Sequence, residues 1–264
     1  MNLGLKNKVC CITGGGSNIC RATALLFAAC DAKTVILDID EDAAEKTAAL
    51  ANENGGNAIA IRVDVTDRKS IENACTEIES KYGGIDVWVN GVGTVRDALF
   101  LRKSREEHEK EVLVNLWSNI NCMEVVLPKL LERGKGSVVT VASDAGRVGE
   151  FREAVYSACK GGVIAFMKSL AREYGPSGIR FNTVCPGVTV PESIDQTSKN
   201  TMWNSAMMKT LGTEEVQAKI AKNYPLRRTG KAMDTANAVV FIASDAASFV
   251  TGQTFSVSGG YSMM

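Results

Sequence analysis

The sequence predicts an α/β protein: a doubly wound parallel sheet of about seven strands with helices on both faces, in a single domain spanning 1–264. Three observations lead there. Short runs rich in Val, Ile and Thr alternate along the chain with longer runs rich in Ala, Glu and Leu, and such alternation calls for parallel strands joined by crossover helices. The first unit reads strand, turn, helix, with Gly14, Gly15 and Gly16 together in the turn. A hydrophobic fraction of 45% over 264 residues is ample for a sheet buried on both sides.

In order, the first strand is 8–13 (K-V-C-C-I-T), followed by the turn 14–18 and a helix over 19–30. The run T-V-I-L-D at 34–38 is the second strand. The helix 40–54, rich in Ala and Glu, is closed by Gly55 and Gly56. A third strand spans 57–63, a helix 67–82 and a fourth strand 85–90. The stretch 104–132 is helical in two pieces. The fifth strand is 136–142 (G-S-V-V-T-V-A), the next helix 155–174 and the sixth strand 179–184. A helix at 234–244 precedes the last strand, 254–257. The stretch 187–224, polar in places and Met-rich, interrupts the alternation.

Composition excludes several functions. With 30 basic and 30 acidic residues the formal net charge is zero, which argues against nucleic-acid or membrane-surface binding carried by net charge. No apolar run reaches the length of a transmembrane helix, and the N-terminus goes straight into a strand-like run with no secretory pattern. A cytoplasmic location is expected. None of the eight cysteines forms a C-x-x-C pair, and Cys10 and Cys11 are adjacent in an apolar strand. Scattered thiols of this kind read as small core hydrophobes rather than metal ligands or disulfides. The single histidine, His108, sits in the charged run R-E-E-H-E-K-E and reads as solvated. No metal site is expected.

The chemistry concentrates in 143–160, S-D-A-G-R-V-G-E-F-R-E-A-V-Y-S-A-C-K. Tyr156 and Lys160 are four apart and share one face of a helix. Ser143 lies thirteen residues before Tyr156, just past the fifth strand, so hydroxyl and phenol can meet at the carboxyl edge of the sheet. A phenol, with an ordinary pKa of about 10, is a poor base at neutral pH; an ammonium one turn away favours the phenolate and brings it toward the useful range. Such a set suits alcohol–ketone interconversion with the hydride carried by a nicotinamide. The plain alternative for Y-x-x-x-K is a surface pair on a helix. Upstream, the turn at Gly14 aims backbone N–H groups and a helix N-terminus where a pyrophosphate would lie. Asp38 ends the second strand, and a carboxylate there accepts from both ribose hydroxyls but repels a 2′-phosphate. No Arg or Lys neighbours it, so NAD is favoured over NADP; Lys33 falls at the far end of that strand.

With Ser143, Tyr156 and Lys160 at these offsets, the chain resembles the short-chain dehydrogenase/reductase family over nearly its whole length. The resemblance implies a Rossmann-type fold, NAD as cofactor and a small-molecule substrate. It also implies a dimer or tetramer, homo- or hetero-oligomeric, built through the helices that bear Asn115 and Tyr156. By that resemblance Asn115, Ser143, Tyr156 and Lys160 are catalytic, Asn115 kinking its helix and holding a water that leads to the lysine; a buried asparagine satisfying a backbone carbonyl is the alternative. Cofactor contacts fall on Gly14, Ser17, Asn18 and Ile19 in the turn, on Asp38 and Ile39, and on Asp64 and Val65. Asn90 and Gly91 (N-G-V-G beside the family's N-N-A-G), Tyr156, Lys160, Pro186, Gly187 and Thr189 complete the set. A mobile substrate loop with small helices is implied at about 188–224.

Besides Gly91, which replaces the second asparagine of N-N-A-G, three positions depart from the family pattern. In T-G-x-x-x-G-x-G, Asn18 and Cys20 replace the second and third glycines. Asn is the side-chain-bearing residue best able to take φ > 0, whereas cysteine adds bulk near the cofactor path. Pro191, two residues past Thr189, replaces a threonine and offers neither hydroxyl nor N–H. The stretches A-S-D-A-G-R-V-G, E-A-V-Y-S-A-C-K-G-G, V-C-P-G and S-V-S-G-G resemble the subgroup of 2-hydroxycyclohexanecarboxyl-CoA dehydrogenase and benzylsuccinate-pathway hydroxyacyl-CoA dehydrogenases. That implies a β-hydroxyacyl-CoA thioester of a cyclic or aromatic degradation pathway as substrate. Arg96, Arg102, Lys103 and Arg147 are candidates for its carboxylate or phosphates, with solvated arginines as the alternative. A non-catalytic subunit of a hetero-oligomer and a regulatory dinucleotide sensor stand as alternatives to an active enzyme.

Overall fold

The computed structural model describes residues 2–204, 210–211 and 213–263. Seven strands form one sheet: β1 (Val9–Thr13), β2 (Lys33–Asp38), β3 (Asn57–Arg62), β4 (Val87–Asn90), β5 (Gly136–Val141), β6 (Ile179–Pro186) and β7 (Thr254–Val257). All neighbours are parallel, in the order β3-β2-β1-β4-β5-β6-β7. The chain winds outward from β1 to β3, returns to place β4 on the other side of β1, and winds outward again to β7. The reversal between β1 and β4 is the crevice where open α/β sheets bind ligands. The doubly wound expectation is borne out strand for strand.

The helices are α1 (Asn18–Ala29), α2 (Glu41–Glu53), α3 (Arg68–Tyr82), α4 (Arg105–Val112), α5 (Ser118–Arg133), α6 (Ala145–Val148), α7 (Ala154–Tyr174), α8 (Glu214–Ala221) and α9 (Ala232–Ala243). Side chains alternate between the two faces of each strand, which divides the core in two. Val9 and Cys11 of β1 join Leu37, Trp88 and Val138 against Ile71, Val126 and Val163 of α3, α5 and α7. Cys10 and Ile12 join Ile36, Val89 and Val139 against Phe27, Val239 and Val240 of α1 and α9. Cys10 and Cys11 thus serve opposite layers as small apolar residues. Seven of the cysteines are buried, Cys30 is half-buried, and all are free.

The expected helix over 104–132 is indeed two helices, joined by a π-helical turn at Leu113–Trp117. Ser104 starts it with a reciprocal capping box to Glu107. The one-turn α6 carries too little periodicity to be read from sequence; α8 falls within 188–224, where the family resemblance implies small helices. Positions 205–209 and 212 of that loop lie outside the described residues. Among the described residues no helix is long and apolar enough to cross a membrane, and no group of His, Cys, Asp or Glu has metal-binding geometry.

Candidate active site

A cavity of about 460 Å³ runs along the carboxyl edge of the sheet across the β1/β4 switch point. Gly14, Ser17, Asn18 and Ile19 line one end, Asp38, Ile39, Asp64 and Val65 the flank, and Gly91, Tyr156, Lys160 and Pro186 the other end. Parallel register brings these strand ends together: Thr13 stands beside Leu37, Asp38 beside Arg62, Asn90 beside Thr140 and Pro186 beside Val257.

The β1–α1 turn keeps the shape a pyrophosphate needs. Gly14 has φ +70° and Asn18 φ +41°, so asparagine does adopt the left-handed conformation expected of it. Cys20, the doubtful position, is 4% exposed. A Cβ at Gly91 would overlap the Cys20 sulfur, so the thiol fills the space that Gly91 leaves. The departures at Cys20 and Gly91 are one packing unit. The cysteine is an inert core thiol, pushed up to about 12 chiefly by burial. The turn therefore remains open beside the N-terminus of α1, and its residues fit a dinucleotide phosphate.

Asp38 is 6% exposed. Its carboxylate accepts from the Gly16 and Asp40 amides, each at 3.0 Å, while burial pushes its pKa upward. Asp64 accepts from Thr66 through both the amide (2.9 Å) and the hydroxyl (2.7 Å). The Asn121 amide holds the carbonyls of Val65 and Thr66 at 3.2 Å. Over this flank lies the segment 198–203. The Ser198 amide donates to Ser17 Oγ at 3.2 Å and the Lys199 amide to Asp40 Oδ2 at 2.7 Å. The Lys199 ammonium pairs with Asp42 and reaches Asp40 Oδ1 at 3.9 Å, and Trp203 is buried against Val190. The sequence places no cation beside Asp38; the fold brings Lys199 near from 161 positions away, already engaged by two carboxylates.

At the other end, Ser143 and Tyr156 meet. The serine hydroxyl accepts from the Ala145 amide at 3.1 Å and acts on the phenol by lowering its pKa. Lys160 is 2% exposed; its ammonium donates to Val141 O at 3.3 Å and lies 5.5 Å from the Tyr156 ring centre. Two glycines permit this. A Cβ at Gly93 would stand 2.9 Å from Lys160 Nζ and 3.1 Å from Asn115 Oδ1, and one at Gly146 would stand 2.5 Å from the α7 backbone at Lys160. Asn115 sits in the π turn. Its amide donates to Thr94 O at 2.8 Å and Glu111 O at 2.9 Å, and its oxygen accepts from the Thr94 amide at 3.1 Å. The wide turn frees the Glu111 carbonyl, and Asn115 answers it.

Electrostatics depart from expectation in one respect. Burial pushes Lys160 down to about 8 and pushes Tyr156 up, with Glu153 adding to the rise and the Ser143 side chain opposing it. The ammonium alone does not bring the phenol into the neutral range, because desolvation penalises both charged forms.

Other expected residues fall elsewhere. The Asn90 side chain accepts from Trp88 Nε1 at 2.7 Å and donates to Thr140 Oγ1 at 3.1 Å; it braces β4 beneath the cavity. Thr189 donates to Gly187 O at 3.1 Å, and its own carbonyl accepts from the Asn18 amide at 3.3 Å, so both lie behind the cavity wall. Lys103 is bonded to Glu111 at 2.5 Å with its side chain 2% exposed, Arg96 pairs with Glu107 and Arg147 reaches Asp144 at 3.4 Å. These cations are engaged within the protein rather than presented to phosphates. His108 is half-buried and stacked on Phe100 at 4.9 Å, not solvated, because the 3₁₀ turn Phe100–Arg102 folds back on α4. Sequence reasoning missed Thr66 and Trp203, which line the cavity only through the fold, and Lys199, which pairs with Asp42 and Asp40 at its edge.

Comparison with known proteins places these features in context. A family model described as Enoyl-(Acyl carrier protein) reductase matches residues 14–262. The chain is 34% identical to the 3-oxoacyl-[acyl-carrier-protein] reductase FabG of Thermotoga maritima, over 97% of this chain and 98% of that protein. It is 35% identical to 2-(S)-hydroxypropyl-CoM dehydrogenase 3 of Xanthobacter autotrophicus, over 97% of each. The crystal structure of gox2181 superposes with a TM-score of 0.88 at 28% identity, covering 98% of this chain and 97% of that one.

Proposed function

The chain belongs to the short-chain dehydrogenase/reductase family, and we propose on that premise that it is an NAD-dependent oxidoreductase interconverting a secondary alcohol and a ketone. The observation that carries the reading is Tyr156 with the buried Lys160 ammonium 5.5 Å from its ring, both on the wall of the cavity that begins at the Gly14 turn. A nicotinamide dinucleotide, when bound, supplies the hydride acceptor. Ser143 holds the substrate oxygen, and Tyr156 takes the hydroxyl proton as the carbinol carbon gives up its hydride. Lys160 holds the nicotinamide ribose and supports the phenolate. Asn115 would anchor the water through which the proton leaves. Asp38, with Asp40 and Asp42 close by, makes the adenosine end anionic and favours NAD over NADP, Lys199 being paired with Asp42 and Asp40.

The substrate we assign is a β-hydroxyacyl-CoA of a cyclic or aromatic degradation pathway. Support comes from the likeness in the stretches quoted above, and from relatives whose names describe a keto group or hydroxyl on a chain tethered to acyl carrier protein or CoM. The internal pairing of Arg96, Lys103 and Arg147 removes those cations as support for phosphate binding. We take the protein as one cytoplasmic domain with its substrate loop at about 188–224, assembling as a dimer or tetramer. Pro191, without donor or hydroxyl, favours the second reading, a non-catalytic partner subunit. Calorimetric titration with NAD and NADP, then single-turnover reduction with a hydroxyacyl-CoA panel and the matching free acids, tests the assignment. Tight NAD binding, weak NADP binding and faster turnover of the thioesters are expected. Absence of NAD binding overturns the enzyme reading, and equal rates on the free acids overturn the thioester.

A further inference from the structure

Asp144 follows Ser143 directly and is the N-cap residue of α6, yet its side chain makes no capping bond. Ser143 takes that part, its hydroxyl accepting from the Ala145 amide at 3.1 Å. The Asp144 carboxylate is thereby left for tertiary partners. The residue is 1% exposed, and a buried carboxylate is costly unless it is paired and hydrogen-bonded. Both of its oxygens are met. Oδ2 accepts from the Ser256 hydroxyl of β7 at 2.6 Å, and Oδ1 from Arg147 Nη1 at 3.4 Å. The Asp144 amide donates at 3.3 Å to the carbonyl of Pro186, which lines the cavity at the end of β6.

The bonds continue into the C-terminal segment. The Ser256 and Ser258 hydroxyls lie 2.7 Å apart, and Ser258 Oγ accepts from the Ser262 amide at 3.3 Å. Beyond α6, Glu150 accepts the Tyr261 hydroxyl at 2.6 Å. Segment 256–262 thus holds α6 from both sides, at Asp144 before it and at Glu150 after it. Tyr261 also stacks on Tyr224, ring centres 5.3 Å apart, and the Tyr224 hydroxyl accepts from the Val188 amide at 3.1 Å. A hydrogen bond to an ionised acceptor is among the stronger kinds, and this one joins residues 112 positions apart. A hydroxyl that must meet a reacting oxygen tolerates little displacement, so what fixes its turn bears on rate.

We propose that Asp144 is a positioning residue for Ser143: its buried carboxylate, held by Ser256 and Arg147, fixes the turn that presents the Ser143 hydroxyl to the substrate oxygen. The proposal rests on the reading of Ser143 as the group that holds that oxygen. The C-terminal segment acts on the reaction through this link without touching substrate.

The test works from the far end of the link. Ser256→Ala removes the donor and leaves the turn's own residues in place; Asp144→Asn keeps the shape of the side chain and removes its charge. Each is made alone and together with Ser143→Ala. NAD affinity is measured by calorimetry, and NADH formation from a secondary alcohol is followed in a single turnover. In Ser256→Ala the rate should fall on the order of tenfold with NAD affinity retained, and Asp144→Asn should behave alike. Added to Ser143→Ala, either change should cost little more, because a misplaced hydroxyl and a missing one are the same defect. An unchanged rate in either variant overturns the proposal. So does a loss that repeats in full in the Ser143→Ala background, which would belong to the fold at large. If Ser143→Ala alone turns over like the wild type, or the wild type oxidises no alcohol, the reading of Ser143 fails and takes the proposal with it.

Discussion

Cys20 and Gly91 show how a single side chain decides whether a familiar turn still works. Sequence made Asn18 tolerable and Cys20 suspect, and the first judgement rests on local backbone physics that a sequence carries. The second needed a residue 71 positions away, because the room for the thiol comes from a missing Cβ on a neighbouring strand. Gly91→Ala should therefore destabilise the protein by on the order of 1–3 kcal/mol in chemical denaturation, as overpacking does. Adding Cys20→Gly should recover part of that loss. The recovery stays partial because a Cβ at 91 also stands 2.6 Å from the Thr13 carbonyl. Lys160 gives a second residue-scale outcome. Its ammonium titrates at about 8 in the folded chain against 10.5 ordinarily, so between those values the unfolded chain binds more protons and stability rises with pH. Lys160→Met should abolish that rise, read as denaturation midpoints at stepped pH. An unchanged profile would mean that the lysine is not buried.

Among the elements, strands and long helices were legible because their signals are local: β-branched runs for the sheet, Ala-rich runs closed by glycine for the helices. What escaped was geometry set between elements. The split in the helix over 104–132 could be read, but the π register at Leu113–Trp117 could not, since it arises from Asn115 answering Glu111 and Thr94. Replacing Asn115 by Ala should cost about 1–3 kcal/mol by stranding those buried groups, and should lower turnover more than dinucleotide affinity. Equal loss of both would mean the turn serves stability alone. The short α6 depends on a close approach to α7. In Gly146→Ala a Cβ would meet the α7 backbone at Lys160 and Gly161, parting Ser143 from Tyr156. Reduced kcat with dinucleotide binding retained is the expected result, and kinetics with calorimetry would show it.

For the molecule as a whole, strand order puts function at the edge where β1 and β4 part company. Neither strand order nor the bonds from Ser198 to Ser17 and from Lys199 to Asp40 and Asp42 are visible in a linear sequence. Tyr156, Lys160 and the Gly14 turn, far apart in sequence, line one cavity, and the Asn90 side chain is bonded to Trp88 and Thr140. The exposed Leu113 and Trp117, 42% and 51% accessible, lie on the helical segment we assign to subunit assembly. Trp117→Glu should shift sedimentation toward the monomer, and an unaltered assembly would move the interface elsewhere. The central claim is that a phenol backed by lysine and serine accepts a proton beside a bound dinucleotide. Tyr156→Phe tests it most directly, with NAD affinity by calorimetry and NADH formation from a secondary alcohol measured on the same preparation. Retained NAD affinity with turnover abolished is the predicted result; turnover equal to that of the wild type would contradict it.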